Sequence, residues 1–344
     1  MGLACAWQLA EAGRTVTLLE RFTSGHEGGS SHGPTRIFRF VYDHPRYVAM
    51  ARAALPLWRA LETRTEELLR IRGGIDAGDP RMLERCADAL AAEGRSSEWL
   101  DKVALGERFP WCDLPAPVLS SPDTGVIDAA ETIRRLRSRA QDAGALLLEQ
   151  THVVKLEPEE DRVTIATEHE RLRARLAVLA TGSWLGDLLG PIGIKIPLRV
   201  TNEHVFYVDG PPETIPVIWR RERFFYTVPS FDGGGTIKIG EHVGGDEVDP
   251  DRREVHAPDV GPLTAWARTC LPAFGPIGAR LDRCLYTITP DEDFVLDRQG
   301  SVIVVSVCSG HGFKFAPLIG SIVERLVAGA QPPVPIEGFS TRRF

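Results

Sequence analysis

The sequence predicts an α/β fold with a mainly antiparallel, α+β part inserted into it, and three stretches carry that prediction. The opening, MGLACAWQLAEAGRTVTLLE, has small or apolar residues at Leu3, Ala4, Ala6, Leu9, Ala10 and Ala12, then Gly13 as a helix stop, then the β-branched and apolar run Thr15–Leu19. It reads as a helix feeding a buried strand. From Pro197 to Gly245 the period changes to two in HVFYV, RFFYTVPS and TIKIGEH, the mark of antiparallel strands. After Leu281 the α/β pattern returns: the strand VIVVSV, the glycine turn SGHG, and an amphipathic helix carrying Leu318, Ile319, Ile322, Val323 and Leu326.

The elements between follow in order. In a dinucleotide-binding βαβ unit the helix begins at the third glycine of G-x-G-x-x-G, and an acidic residue about 20 positions on holds a ribose. Gly2 and Glu20 stand at those two positions. The next stretch, SGHEGGSSHGPTR, has the composition of a loop that embraces a ligand. A helix rich in Ala, Leu and Trp is expected over roughly Pro45 to Leu69. Asp128 and Glu131 form a D-x-x-E cap for a helix with Ile133 and Leu136 on one face and Gly144 after it. ALLLEQ, HVVKLEP, RVTIATE and RLAVLATG read as strands of the α/β part, the last running into Gly182-Ser183-Trp184.

Composition narrows the function. At 344 residues the chain exceeds what a single core usually supports, so two interleaved domains are expected. A net charge of −7 argues against nucleic acid or an anionic membrane as partner, because either needs a basic patch. No stretch reaches the roughly 18 uninterrupted apolar residues of a membrane span, and no signal-peptide layout opens the chain, so a cytoplasmic location is expected. The six cysteines include no C-x-x-C pair, which suggests neither a disulfide framework nor a metal site, and most are expected to be buried small hydrophobes.

Taken in order, Gly2…Glu20, SSHGPTRIFR, ATGSW, KIGEH, CLYTITPDEDF and SGHGFKF resemble the amine-oxidising flavoproteins of the monomeric sarcosine oxidase and N-methyltryptophan oxidase family, within the D-amino-acid-oxidase-like group. The resemblance runs from Gly2 to the C-terminus. It implies a Rossmann-like FAD-binding domain made of 1–70, 122–192 and 281–344, interleaved with a substrate domain of 71–121 and 193–280. It also implies a monomer that oxidises a secondary N-methyl or N-alkyl amino acid with O2 as acceptor, releasing H2O2. Family members carry a short strand and G-x-G before the position of Met1, so the chain reads as shortened at an internal methionine, through a displaced start. A catalytically inactive remnant without FAD, an FAD dehydrogenase using another acceptor, and a plain NAD-binding module are the competing readings.

The resemblance also assigns roles. Cys284, in Arg283-Cys284-Leu285-Tyr286, stands where the flavin is attached through a thioether, and Lys238 where a lysine near flavin N5 promotes attack by oxygen. The isoleucines flanking Lys238 leave it alone on its strand face, and His242 shares that face by the two-residue period. Arg39 and Lys314 match the pair that holds an amino-acid carboxylate, and Tyr226 an active-site tyrosine. Contacts to FAD are implied for Gly2, Glu20, Arg21, Ser30, His32, Arg36, Val154, Thr181, Gly182, Trp184, Gly310, Gly312, Phe313 and Lys314. The chain departs from the family at Ser31-His32-Gly33, where a His-His-Gly is usual, and at Phe40, where a histidine is. The amine class therefore carries over better than the amine's identity.

Overall fold

The computed structural model describes residues 1–252, 257–278 and 280–344. The opening helix, Gly2–Glu11, buries Ala4, Cys5, Ala6, Trp7, Leu9 and Ala10 against the helices Ala129–Asp142 and Ala316–Ala328. Contact with the last of these is tight at Gly320, where any side chain would strike the Ala4 carbonyl. Asp128 caps the middle helix as its sequence indicates, accepting from the Glu131 N–H at 2.9 Å.

Two parallel fragments lie beside the opening helix. Thr17–Leu19 pairs with Leu146–Leu148, and Ala177–Leu179 pairs with Val302–Ser306, which also takes Val295–Gln299 as an antiparallel neighbour. Gly2 stands between them: a Cβ there would lie 3.8 Å from Leu18 Cδ1 and 3.9 Å from Ala180 Cβ, ordinary contact distances. Gly2 is thus not demanded by close packing.

Two expectations change. The helix over Pro45 ends at Leu61 rather than near Leu69, because the Glu62 carboxylate turns back to accept from the N–H groups of Leu68 and Leu69, both at 2.9 Å, and that bridge starts the strand Leu69–Ile71. The strands Val153–Pro158, Val163–Thr167 and Arg171–Ala174 form an antiparallel meander of their own instead of joining a parallel sheet.

The largest sheet brings distant segments together. Its longest strand, Arg199–Asp209, lies next to one edge, flanked by Arg280–Ile288 on one side and Thr236–Glu241 on the other, with Phe224–Pro229, Val217–Arg220, Gly74–Gly78 and Val118–Ser121 following in order beyond Thr236–Glu241. Ile237 and Ile239 enter the core under this sheet, together with Phe206, Val208, Val217 and Trp266. The opposite face is turned toward the helical half.

Candidate active site

Between that face and the opening helix lies a cavity of about 1470 Å³, and every site residue read from the sequence lines it. The strand period explains the first group. With Ile237 and Ile239 in the core, Lys238 must face the cavity. It is 6% exposed, and its Nζ donates to the Thr35 carbonyl at 2.5 Å. Burial, reinforced by the Arg36 charge, pulls its pKa well below the usual lysine value. Across Arg199–Asp209, Lys238 pairs with Tyr207 and Cys284 with Glu203, positions on one face of the same strand. Burial pushes the Cys284 thiol up to about 11.

His242 follows one turn of the ladder beyond Lys238. Its ring packs 4.6 Å from Phe224 and 5.6 Å from Tyr286, and burial with the nearby Arg39 and Lys314 charges lowers its pKa to about 3. It is neutral at ordinary pH. Gly310, at φ +71°, closes over this pair, since a side chain there would collide with both Tyr286 and His242. Tyr226 lies in register with Gly240, and a Cβ on Gly240 would come 3.0 Å from its hydroxyl, which burial raises in pKa.

The cations converge at the far end. Lys314 is 2% exposed, donates to the Tyr42 hydroxyl at 2.9 Å and to the His311 carbonyl at 2.5 Å, and is held well below the usual lysine pKa by burial and then by Arg39. Arg39 donates to the Val41 carbonyl at 2.7 Å, with its guanidinium 4.4 Å over the Tyr42 ring. One aromatic ring thus ties the two cations together.

The opposite part of the cavity is built from loops. Arg36 gathers the glycine-rich segment by donating to the carbonyls of Thr35, Ser30 and His32 at 2.9, 2.9 and 2.6 Å, and stacks on Phe313 at 5.4 Å. Glu20 accepts from the Phe22 N–H at 2.9 Å. Arg21 pairs with Asp251 at 2.9 Å, as does the Trp184 indole N–H, and the Arg21 guanidinium stacks on Trp184 at 5.5 Å. Asp251 escaped the sequence reading because an isolated Asp in a polar loop carries no signal. Ile218, Phe224 and Tyr286 also line the cavity, and only their alternation with core positions points to them.

A family profile described as FAD dependent oxidoreductase matches residues 1–326. The chain belongs to this family. It is 30% identical to a monomeric sarcosine oxidase of Arthrobacter sp. (strain TE1826), over 100% of the chain and 94% of that protein, and 29% identical to the peroxisomal sarcosine oxidase of Homo sapiens, over 100% and 93%. An N-methyl-L-tryptophan oxidase of Citrobacter koseri is 27% identical over 100% of the chain and 96% of that protein. Among solved structures, NikD, an unusual amino acid oxidase essential for nikkomycin biosynthesis, superposes with a TM-score of 0.86 at 29% identity, covering 98% of this chain and 94% of that one. Glycine oxidase from Geobacillus kaustophilus shares the fold, at 0.84 and 20% identity.

The site of this FAD-dependent oxidoreductase fits its cofactor. His32 Nδ1 and Thr181 Oγ1 are buried without a hydrogen-bond partner while their residues line the cavity, and a bound polar ligand would satisfy both. Gly182, at φ +54° with nothing within 4 Å of a Cβ, leaves backbone open to close approach.

Proposed function

We propose that the protein oxidises the C–N bond of a secondary N-alkyl amino acid, with sarcosine or an N-methyl amino acid such as N-methyltryptophan as substrate class and O2 as acceptor. The observation that carries this is a set of buried cations in one cavity: Arg39 and Lys314 joined through Tyr42, with neutral His242 near both, and Lys238 near Arg36 and Cys284. FAD, when bound, would accept two electrons from the amine, and O2 would take them on, becoming H2O2.

The chain's own residues do the rest. Arg39 and Lys314 hold the carboxylate from two sides, and an anion placed there returns to Lys314 the proton that burial disfavours. His242, being neutral, adds no cation that would oppose the electron-poor carbon formed as hydride leaves. Lys238 and Arg36 offer N–H donors where negative charge develops on oxygen. Attachment of FAD through Cys284 is part of the proposal, supported by a buried thiol on the cavity wall. So are a monomer in the cytoplasm, consistent with six free cysteines, and the division into 1–70, 122–192 and 281–344 against 71–121 and 193–280, with the strand Arg280–Ile288 shared with the large sheet.

The test is anaerobic mixing of the purified yellow protein with sarcosine or N-methyl-L-tryptophan, followed by admission of O2. Bleaching by the amine and fast recovery with one H2O2 per turnover supports the oxidase. Bleaching with recovery only through a quinone or dye shows a dehydrogenase. Colourless protein overturns the reading.

A further inference from the structure

Behind Arg39, outside the cavity lining, stands a charge cluster that the proposed reaction does not use. Asp76, on Gly74–Gly78, is 2% exposed, and its Oδ1 lies 3.6 Å from an Arg39 terminal nitrogen and 3.6 Å from one of Arg220, too long for a direct hydrogen bond to either. Arg39 and Arg220 also share an acceptor, the Val41 carbonyl, at 2.7 and 3.2 Å. Asp76 Oδ1 and Arg220 Nε are buried without hydrogen-bond partners. Strand register brings them together: Asp76 pairs with Ile218 and Gly78 with Arg220 in adjacent parallel strands. The Arg220 guanidinium rests 5.2 Å over Phe224, whose other neighbour is His242. One buried carboxylate is therefore divided between two guanidiniums, one facing the cavity and one behind it.

We propose that Arg220 is a positioning residue that sets carboxylate specificity: it draws Asp76 away from full pairing with Arg39 and so leaves a net positive charge there for the substrate. The inference rests on Arg39 holding the substrate carboxylate. Its logic is a charge count. Arg39, Asp76 and Arg220 sum to one positive charge, and removing Arg220 leaves zero, with Asp76 free to compete with substrate for Arg39. Removing Asp76 as well restores one. At an effective dielectric of about 20, a unit charge roughly 6–12 Å from the ligand is worth about one to two decades in affinity. Tyr42 and Cys86 also border Asp76, and neither carries charge at neutral pH because burial raises both pKa values.

The experiment uses the FAD-loaded protein at pH 8, above the value of about 7 to which burial pushes Asp76. Arg220→Met is expected to raise KM for the N-methyl amino acid on the order of 10- to 100-fold while kcat stays within about threefold. KM for the corresponding neutral amide should not move. Arg220→Lys should stay near wild type, and Arg220→Met with Asp76→Asn should recover carboxylate affinity. Equal KM changes for acid and amide, or a double variant no better than Arg220→Met, overturns the proposal. Propionate binding, read from the flavin absorbance shift, tests the same order of affinities without turnover. That readout separates a wrong role for Arg220 from a wrong choice of amine: if wild type binds propionate but oxidises no N-methyl amino acid, only the proposed function fails.

Discussion

The two ends of the cavity are built by different means. At the sheet end, Lys238, Lys314 and Arg39 each donate to an oxygen of the chain, and His242 is wedged between Phe224, Tyr286 and the Gly310 backbone. At the loop end, His32 Nδ1 and Thr181 Oγ1 have no partner, Val154 is 50% exposed, and a side chain on Gly182 would meet nothing. The sheet end is preorganised by its own bonds, as chemistry on a small substrate requires. Completion of the loop end is left to a ligand large enough to supply the missing partners.

Breaking the sheet end should have the largest effects. Lys238→Met should slow reoxidation by O2 about 10²- to 10³-fold while anaerobic reduction by the amine changes little, as read by stopped-flow absorbance. Unchanged reoxidation would remove Lys238 from the oxygen step. Next, Arg39→Ala should weaken carboxylate substrates by about 10- to 150-fold, the usual worth of hydrogen bonds to a charged group, measured as KM against an uncharged amide control. A pair of glycine variants then compares the ends directly. Gly310→Ala must push into Tyr286 and His242 as well as hold φ +71°, so a loss of about 1–3 kcal/mol is expected in denaturant unfolding. Gly182→Ala pays only for its positive φ and should lose about 1 kcal/mol. Similar losses at both would erase the contrast. The last comparison is in pH dependence. With His242 at about 3 in the fold against 6.5 unfolded, the unfolded chain takes up a proton that the fold refuses, so stability falls as pH drops from 6.5 toward 3. His311 acts with the same sign. His242→Gln should flatten that part of the slope in urea midpoints between pH 4.5 and 7.

This contrast also decides what could be read in advance. Lys238 was visible because isoleucines on both sides fix its face, and the glycine-rich loop was visible because its composition permits no regular element. The cap at Asp128 is local and was found by spacing. Asp76 and Arg220 were invisible: each looks like a surface charge, and their meeting depends on two strands more than a hundred residues apart pairing in one register. The early end of the helix at Leu61 was missed for a related reason, since the Glu62 carboxylate that ends it bonds to backbone further along the chain, beyond what propensity describes. The meander over 153–174 was read as part of the α/β layer because alternation identifies a strand without naming its neighbours.

The strand Arg199–Asp209 holds Lys238 against one edge and Cys284 against the other, by backbone ladders on both sides. A slip of one residue in that strand would turn Tyr207 and Glu203, the partners of the lysine and the thiol, to the other face together. The lysine and the thiol are therefore placed relative to each other through one strand, whereas Ile218 lines the cavity from the separate strand Val217–Arg220. A change at Ile218 reshapes the cavity wall without touching either ladder that places Lys238 and Cys284.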